Sequence, residues 1–276
     1  MKPLVRSFRM VVTDIDGTLV DSFQEISELN KEKIHAFQRQ GGIVTLATGR
    51  MEDAAYRFVQ EMDIRHPVIL YNGGKIVDFT TNQCYFEAVL TTEVVLDALQ
   101  LLSRNPLNMI FYSEQKLWVR EINSVISDYM NKDRVVCHAW ESPDFLLRSK
   151  VNKILIIQED QNFDAVLEVF LPMVGASCEL VTSEATYMEI LPFGVSKGNA
   201  LKLLADQVGV EMQDVIAIGD HMNDLAMLQE AGLGVAVNNA HPDLKEHAQY
   251  IAPSNLEHAV AHVIDKYCLN KAQESR

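Results

Sequence analysis

Met10-Val-Val-Thr13 is a run of strand-forming residues that ends in two carboxylates one residue apart, Asp14 and Asp16, followed at once by Gly17 and Thr18. Residues two apart on a strand share a face. Either two negative charges stand side by side, or the chain has left the strand for a loop. Both arrangements call for a positive partner, and a hard cation with oxygen ligands, such as Mg2+, is the simplest candidate. The same punctuation recurs along the chain. Ile43-Val-Thr-Leu-Ala47 ends in Thr48-Gly49-Arg50, Val68-Ile-Leu-Tyr71 in Asn72-Gly73-Gly74, and Asp214-Val-Ile-Ala-Ile218 in Gly219-Asp220-His-Met-Asn223-Asp224. Between these runs, apolar residues fall at helical spacing: Leu29, Ile34 and Phe37 in Ser27 to Gln40, Ala55, Phe58 and Val59 in Met51 to Met62, and Ala200, Leu201 and Leu204 in Ser196 to Val208. Gly234-Val-Ala-Val237 reads as a further strand and Asn255 to Tyr267 as a closing helix. Strand, polar loop and helix in repetition predict an α/β fold with a parallel sheet wound by helices. Ligands of such sheets bind beyond the carboxyl ends of the strands, and each polar cluster falls at such an end.

The texture changes at about Gln83. Thr91 to Leu102 and Ser124 to Asn131 read as helices, while Met109–Tyr112 and Leu117–Val119 flank Ser113-Glu-Gln-Lys116 as the arms of a hairpin would. Lys153–Ile157 reads as a strand, Asn162 to Phe170 as a helix capped by Asn162, and Cys178–Val181 with Tyr187–Leu191 as another antiparallel pair. Mixed antiparallel sheet with helices marks a second domain, 83–192, inserted into a first made of 1–82 and 193–276. A chain of 276 residues is long enough for both, and 48% hydrophobic residues supply their cores. The polar tail 270–276 is expected to fray.

The net charge of −14 argues against a nucleic-acid binder, which relies on Lys and Arg to neutralise phosphates. Small anionic substrates need only a local positive site. Cys84, Cys137, Cys178 and Cys268 are far apart and form no metal-binding spacing; they read as reduced thiols of a cytoplasmic protein. Lys2, Arg6 and Arg9 interrupt the N-terminus before an apolar core of signal length, and no apolar run approaches membrane-spanning length.

Asp14, Asp16, Asp220 and Asp224, with Lys197, Thr18, Thr48 and Asn223, all fall at strand ends or helix starts of the same sheet, so they can converge. Phosphoryl transfer needs such a set: a nucleophile, a cation between approaching anions, an acid/base, and donors for the equatorial oxygens. A carboxylate can be the nucleophile, forming an acyl phosphate that water hydrolyses. These residues alone do not choose Asp14 over Asp16. Taken singly, the acidic pair could be a turn, Thr48 an N-cap, Asn223 a turn residue and Arg50 half of a surface ion pair. Lys197 would be a solvated residue at a helix N-terminus, where a cation is mildly unfavourable. His221 reads as a loop side chain, and Trp118 and Trp140 as packing residues.

Asp14-Ile-Asp16-Gly17-Thr18-Leu19, Thr48-Gly49-Arg50, Ser196-Lys197-Gly198 and Gly219-Asp220-His-Met-Asn223-Asp224, in this order, resemble the four motifs of the haloacid dehalogenase-like phosphatase superfamily, within it the Cof-type sugar-phosphatase branch. The resemblance implies a Rossmann-like parallel sheet core with helices on both faces, plus an inserted α+β cap domain that closes over the site and sets specificity. It makes Asp14 the nucleophile and a Mg2+ ligand, and Asp16 the general acid/base, bound to the metal through its backbone carbonyl. Asp220 completes the metal's protein ligands and Asp224 supports its water shell. Thr48, Gly49 backbone, Lys197, Asn223 and the Ile15 backbone N–H hold the phosphate, with Thr18 and Arg50 in support. The implied activity is a Mg2+-dependent phosphatase acting on a small phosphorylated metabolite such as a sugar phosphate, with no nucleic-acid or membrane partner. Alternatives are a phosphomutase on the same core, a phospho-acceptor regulatory module of the receiver type, which is far shorter, and a catalytically silent metal-binding homologue. Asn238-Asn239-Ala240, where the branch commonly has glycine-asparagine-alanine, and Asn255-Leu-Glu-His258-Ala259 depart from the pattern, with a loop near the cap hinge as the expected place of any effect.

Overall fold

A computed structural model describes residues 8–269; the tail 270–276 and the N-terminal Lys2 and Arg6 lie outside them. The described residues form two compact units, one comprising 8–48, 56–85 and 196–269, the other 49–55 and 86–195. Against the expected 83–192, the second unit runs Phe86–Val195 and takes in Gly49–Ala55.

The first unit opens with β1 (Met10–Thr13), buried at every position, as an apolar run without alternation requires. Helix α1 (Glu28–Arg39) follows, capped by Ser27 Oγ, which accepts from the Asn30 N–H. Then come β2 (Ile43–Leu46), α2 (Glu52–Glu61), whose residues 52–55 are grouped with the second unit, and the short strands β3 (Val68–Leu70), β4 (Lys75–Asp78) and β5 (Gln83–Glu87), whose residues 86–87 are grouped there too; β4 and β5 were not anticipated from sequence. The inward face of α1 is Asn30, Ile34 and Phe37, whereas the expected Leu29 is 40% exposed. Buried Asn30 takes that place because its amide is satisfied at both ends: Nδ2 donates to the Leu19 carbonyl (3.2 Å) and Oδ1 accepts from the Ala261 N–H (2.9 Å).

The second unit contains α3 (Thr92–Arg104), the hairpin β6 (Asn108–Ser113) and β7 (Lys116–Val119), α4 (Ser124–Asp133), β8 (Cys137–Ala139), β9 (Val151–Ile157), α5 (Asp164–Phe170), β10 (Cys178–Glu184) and β11 (Tyr187–Pro192). Its six-stranded sheet has the order β10-β11-β9-β6-β7-β8, antiparallel except for β7 with β8. The hairpin turns through Glu114 and Gln115, both at positive φ (51° and 58°), the tight-turn geometry that matches strand twist. Helix α5 starts one residue later than Asn162 would set it; Asn162 Oδ1 still accepts from the Asp164 N–H (3.0 Å). Phe111, Ile154, Ile156 and Ile190 from the sheet pack on Val95 and Phe170 from the helices.

On β9 and β11 a buried ion pair joins Lys153 Nζ and Glu189 Oε2 at 2.9 Å, with side chains 3% and 4% exposed, and the ammonium lies 4.4 Å from the Tyr112 ring centre. Removing one partner strands a buried charge. Glu189→Ala is expected to cost about 3–5 kcal/mol of unfolding free energy in urea titration, and Lys153→Met with Glu189→Leu to recover most of it.

The chain then returns to the first unit with α6 (Lys197–Gln207), β12 (Val215–Gly219), α7 (Leu225–Glu230), β13 (Leu233–Val237), α8 (Pro242–His247), β14 (Tyr250–Ala252) and α9 (Ala259–Ile264). Its main sheet is parallel throughout, in the order β14-β13-β12-β1-β2. Crossovers β1-α1-β2 and β12-α7-β13 run toward opposite edges, and right-handed connections therefore place α1 and α7 on opposite faces. The closing helix expected over Asn255–Tyr267 is divided by His258, at φ 62°, into a single turn (Asn255–Glu257) and α9. His258 Nδ1 is held 2.9 Å from Ser27 Oγ, which fixes the break. Among the described residues no helix is long and apolar enough to cross a membrane, and the four cysteines are reduced.

Candidate active site

Strands β1 and β12 are neighbours in register, Met10 beside Val215 and Thr13 beside Ile218. The chain leaves β1 toward β2 and leaves β12 toward β13, so the two loops part and open a crevice at the carboxyl ends. Asp14 and Asp220 are the first residues beyond the two strands. The Asp14 N–H still donates to the Ile218 carbonyl (2.9 Å), which fixes its carboxylate at the mouth. Gly17 then turns the chain at φ 72°, where a Cβ would collide with the Asp220 carboxylate. Only glycine meets both demands. Thr18 Oγ1 donates to Asp220 Oδ1 (2.9 Å).

Asp224 closes the turn after β12 upon itself. Its Oδ2 accepts from the N–H groups of Asp220 (2.8 Å) and His221 (3.2 Å), leaving Oδ1 for Lys197. Lys197 is the first residue of α6, whose Ser196 cap accepts from the Asn199 N–H. Gly198 lets α6 approach the backbone of Ala226 on α7. The fully buried Lys197 Nζ lies 2.7 Å from Asp14 Oδ1 and 2.6 Å from Asp224 Oδ1. The cation that is mismatched with its helix dipole is compensated by two carboxylates from other segments.

Oxygens of Asp14, Asp220 and Asp224 lie within 4.8 Å of one another. The Asp14 carboxyl is pushed up to about 7, the balance of burial, which raises it most, of Lys197, which pulls it down, and of Asp224 and Asp16, which push it up. Asp220 is held well above the ordinary carboxylate range by burial and by the charges of Asp14 and Asp224. Burial alone would lower the Lys197 ammonium, but Asp14 and Asp224 outweigh it and hold its pKa above the usual lysine value. One buried lysine thus faces a cluster whose carboxylates resist ionising together. An all-oxygen, negatively charged set of this size fits a hard divalent cation such as Mg2+. The side chain of Asp16 is outside the three-carboxylate group. Because protons and metal compete for raised carboxylates, Mg2+ is expected to raise the unfolding temperature more at pH 8 than at pH 5, as measured by thermal unfolding with and without EDTA.

Thr48 is buried; its N–H donates to the Ile69 carbonyl and its own carbonyl accepts from the Asn72 N–H, both at 2.9 Å. Asn223 Nδ2 donates to Asn72 Oδ1 at 3.0 Å. The Ile15 carbonyl accepts from the N–H groups of Leu19 (2.9 Å) and Val20 (3.1 Å). Gly49 and the buried Arg50 follow Thr48 in the stretch grouped with the second unit. Asp14, Thr18, Lys197, Asp220 and Asp224 are therefore joined directly, and Thr48 and Asn223 through Asn72.

Residues of the two stretches that contain departures from the family pattern, 238–240 and 255–259, brace the acidic loop. Asn239 Nδ2 donates to the Gly17 carbonyl (2.8 Å) and its Oδ1 accepts from the Asn255 N–H (2.9 Å). Asn255 Nδ2 donates to the Val20 carbonyl (2.8 Å), and His258 meets Ser27. Their place is the loop after β1, and the only hint in the sequence was the run of amides itself.

A family model of haloacid dehalogenase-like hydrolases matches residues 11–264. A Streptococcus pyogenes protein provisionally named a phosphatase is 30% identical over 96% of this chain and 100% of its own. A Bacillus subtilis protein named 5-amino-6-(5-phospho-D-ribitylamino)uracil phosphatase is 29% identical over 95% of this chain and 96% of its own. The solved structure of a haloacid dehalogenase-like hydrolase from Bacteroides thetaiotaomicron superposes with a TM-score of 0.82 at 28% identity, covering 94% of this chain and 99% of that one. With a match from β1 to the end of α9 and relatives that cover it nearly end to end, the chain belongs to the haloacid dehalogenase-like hydrolases and is an enzyme of their phosphatase kind.

Proposed function

We propose that the chain is a Mg2+-dependent phosphatase that hydrolyses a small phosphorylated metabolite, a sugar phosphate or sugar-alcohol phosphate, through an aspartyl phosphate on Asp14, and that it works in the cytoplasm. The observation that carries the reading is the buried Lys197 ammonium bridging Asp14 and Asp224 beside Asp220. Two relatives named as phosphatases of a phosphoribityl compound support the substrate class.

Lys197 lowers the pKa of Asp14 against the effect of burial, so that an ionised oxygen is available at neutral pH. That oxygen attacks phosphorus as the ester P–O bond breaks, and the leaving alkoxide takes the proton of the Asp16 carboxylic acid. Asp16 then takes a proton from water, whose oxygen attacks phosphorus and breaks the bond to Asp14, releasing phosphate. Mg2+ held by Asp14, the Asp16 carbonyl and Asp220 would supply charge screening between carboxylate and phosphate. Thr48, the Gly49 backbone, Lys197, Asn223 and the Ile15 N–H serve as donors to the phosphate oxygens, with Thr18 and Arg50 in support and Asp224 holding Lys197.

A panel of phosphorylated metabolites with and without Mg2+ tests the reading. Mg2+-dependent release of inorganic phosphate is expected. Isomerised sugar phosphate without release would make the chain a mutase, and stable labelling by acetyl phosphate without ester turnover a phospho-acceptor module.

A further inference from the structure

The turn between β3 and β4 has a backbone that hairpin closure alone does not require. Tyr71, Asn72 and Gly73 are consecutive left-handed residues, at φ 51°, 55° and 105°, and all three are buried. Asparagine tolerates this conformation through its short amide, but a tyrosine does not adopt it without cost. Retained strain of this kind points to a task for the segment.

The turn touches each of three separate stretches that carry a proposed phosphate ligand. The Asn72 N–H donates to the Thr48 carbonyl (2.9 Å), and Asn72 Oδ1 accepts from Asn223 Nδ2 (3.0 Å). Gly73 lies against the start of α6, where a Cβ would collide with the Ser196 carbonyl and come within 3.1 Å of the Lys197 nitrogen. Asn223 Oδ1 is buried and has no hydrogen-bond partner. Such an atom in a folded protein calls for an explanation.

We propose that Asn72 is a positioning residue for phosphate binding: its Oδ1 sets which end of the Asn223 carboxamide faces the phosphate, while its N–H holds the Thr48 loop. The proposal rests on the reading of Asn223 and Thr48 as phosphate ligands. A phosphate dianion accepts hydrogen bonds and offers none, so only the Nδ2 end of Asn223 is useful to it. Each Nδ2 carries two N–H bonds. Asn72 takes one and thereby leaves the other for a phosphate oxygen. With the amide reversed, two acceptors would face each other across the 3.0 Å contact, and the phosphate would meet a carbonyl. The unpaired Oδ1 is the consequence of an orientation fixed from the Asn72 side.

Asn72→Gly keeps the left-handed backbone and the N–H to Thr48 and deletes only the carboxamide. With p-nitrophenyl phosphate and Mg2+, it is expected to lower kcat/KM and raise the inhibition constant of inorganic phosphate, each by about 10- to 100-fold. Asn223→Ala should do the same. The double variant should be no more than about threefold worse than Asn223→Ala, because one residue acts through the other. Asn72→Asp retains the acceptor and the tolerance for positive φ, so its kcat should exceed that of Asn72→Gly even as its added charge raises KM. Losses that multiply in the double variant, an Asn72→Asp kcat at or below that of Asn72→Gly, or phosphate inhibition unchanged in Asn72→Gly would each overturn the proposal. The same holds if Asn72→Gly does not fold and Asn72→Asp keeps the wild-type KM. A wild-type protein that releases no phosphate from any ester would instead remove the phosphatase reading itself, and the proposal with it.

Discussion

The Asp14→Asn protein is expected to release no phosphate, a loss of at least about 10⁴-fold in kcat, while remaining folded and gaining stability at alkaline pH. The amide cannot form the acyl phosphate proposed on the Asp14 carboxylate. The stability effect follows from the raised carboxyl. A carboxyl pushed up to about 7 in the folded state from its ordinary 3.8 means that the native state binds the Asp14 proton more tightly than the unfolded chain does. Its contribution is fully present below pH 3.8 and is lost as pH rises to about 7. Thermal unfolding of the metal-free protein between pH 4 and 8 should show this decline in the wild type and a shallower one in Asp14→Asn. Residual turnover near the wild-type rate in the purified variant would exclude the covalent mechanism.

Lys197→Met is expected to impair both the fold and the reaction. The substitution leaves Asp14 and Asp224 buried, close together and without their shared cation. Loss of one side of a buried ion pair costs about 3–5 kcal/mol, to be read from denaturant unfolding at pH 7 without Mg2+. Two conditions should narrow the deficit. At pH 5 the raised Asp14 carboxyl takes a proton, so less charge is stranded. Mg2+ at pH 7 is expected to replace part of the missing positive charge without restoring turnover, since the proposed donor to the phosphate is gone. A deficit of equal size at pH 5 and 7 would show that packing, and not charge, makes Lys197 necessary.

Much of the first unit was legible because its elements announce themselves locally. A strand such as Met10–Thr13, buried on both faces, must be apolar throughout, and a helix such as α6 needs its cap at Ser196 and its stripe of Ala200, Leu201 and Leu204. Leu29 and Asn30 show where this logic fails. Periodicity favours the leucine as the inward residue, yet the asparagine is buried because a carbonyl from one segment and an N–H from another satisfy its amide. His258 fails the same way: a helical pattern hides a left-handed break fixed by Ser27, far away in sequence.

The acidic pair after β1 and the later Lys197, Asp220 and Asp224 could be chosen from the sequence as residue types that phosphoryl transfer needs at strand ends. What they do to one another could not. That Lys197 is wholly buried between Asp14 and Asp224, that Gly17 must lack a Cβ to pass the Asp220 carboxylate, and that Asn239 holds the Gly17 carbonyl depend on strand order. The sequence by itself determined which residues stand at the carboxyl ends of the parallel strands, because apolar runs and their polar stops are local. Only the tertiary structure decided which ends adjoin, because pairing β1 with β12, over 200 positions away, is a choice made by packing the whole sheet.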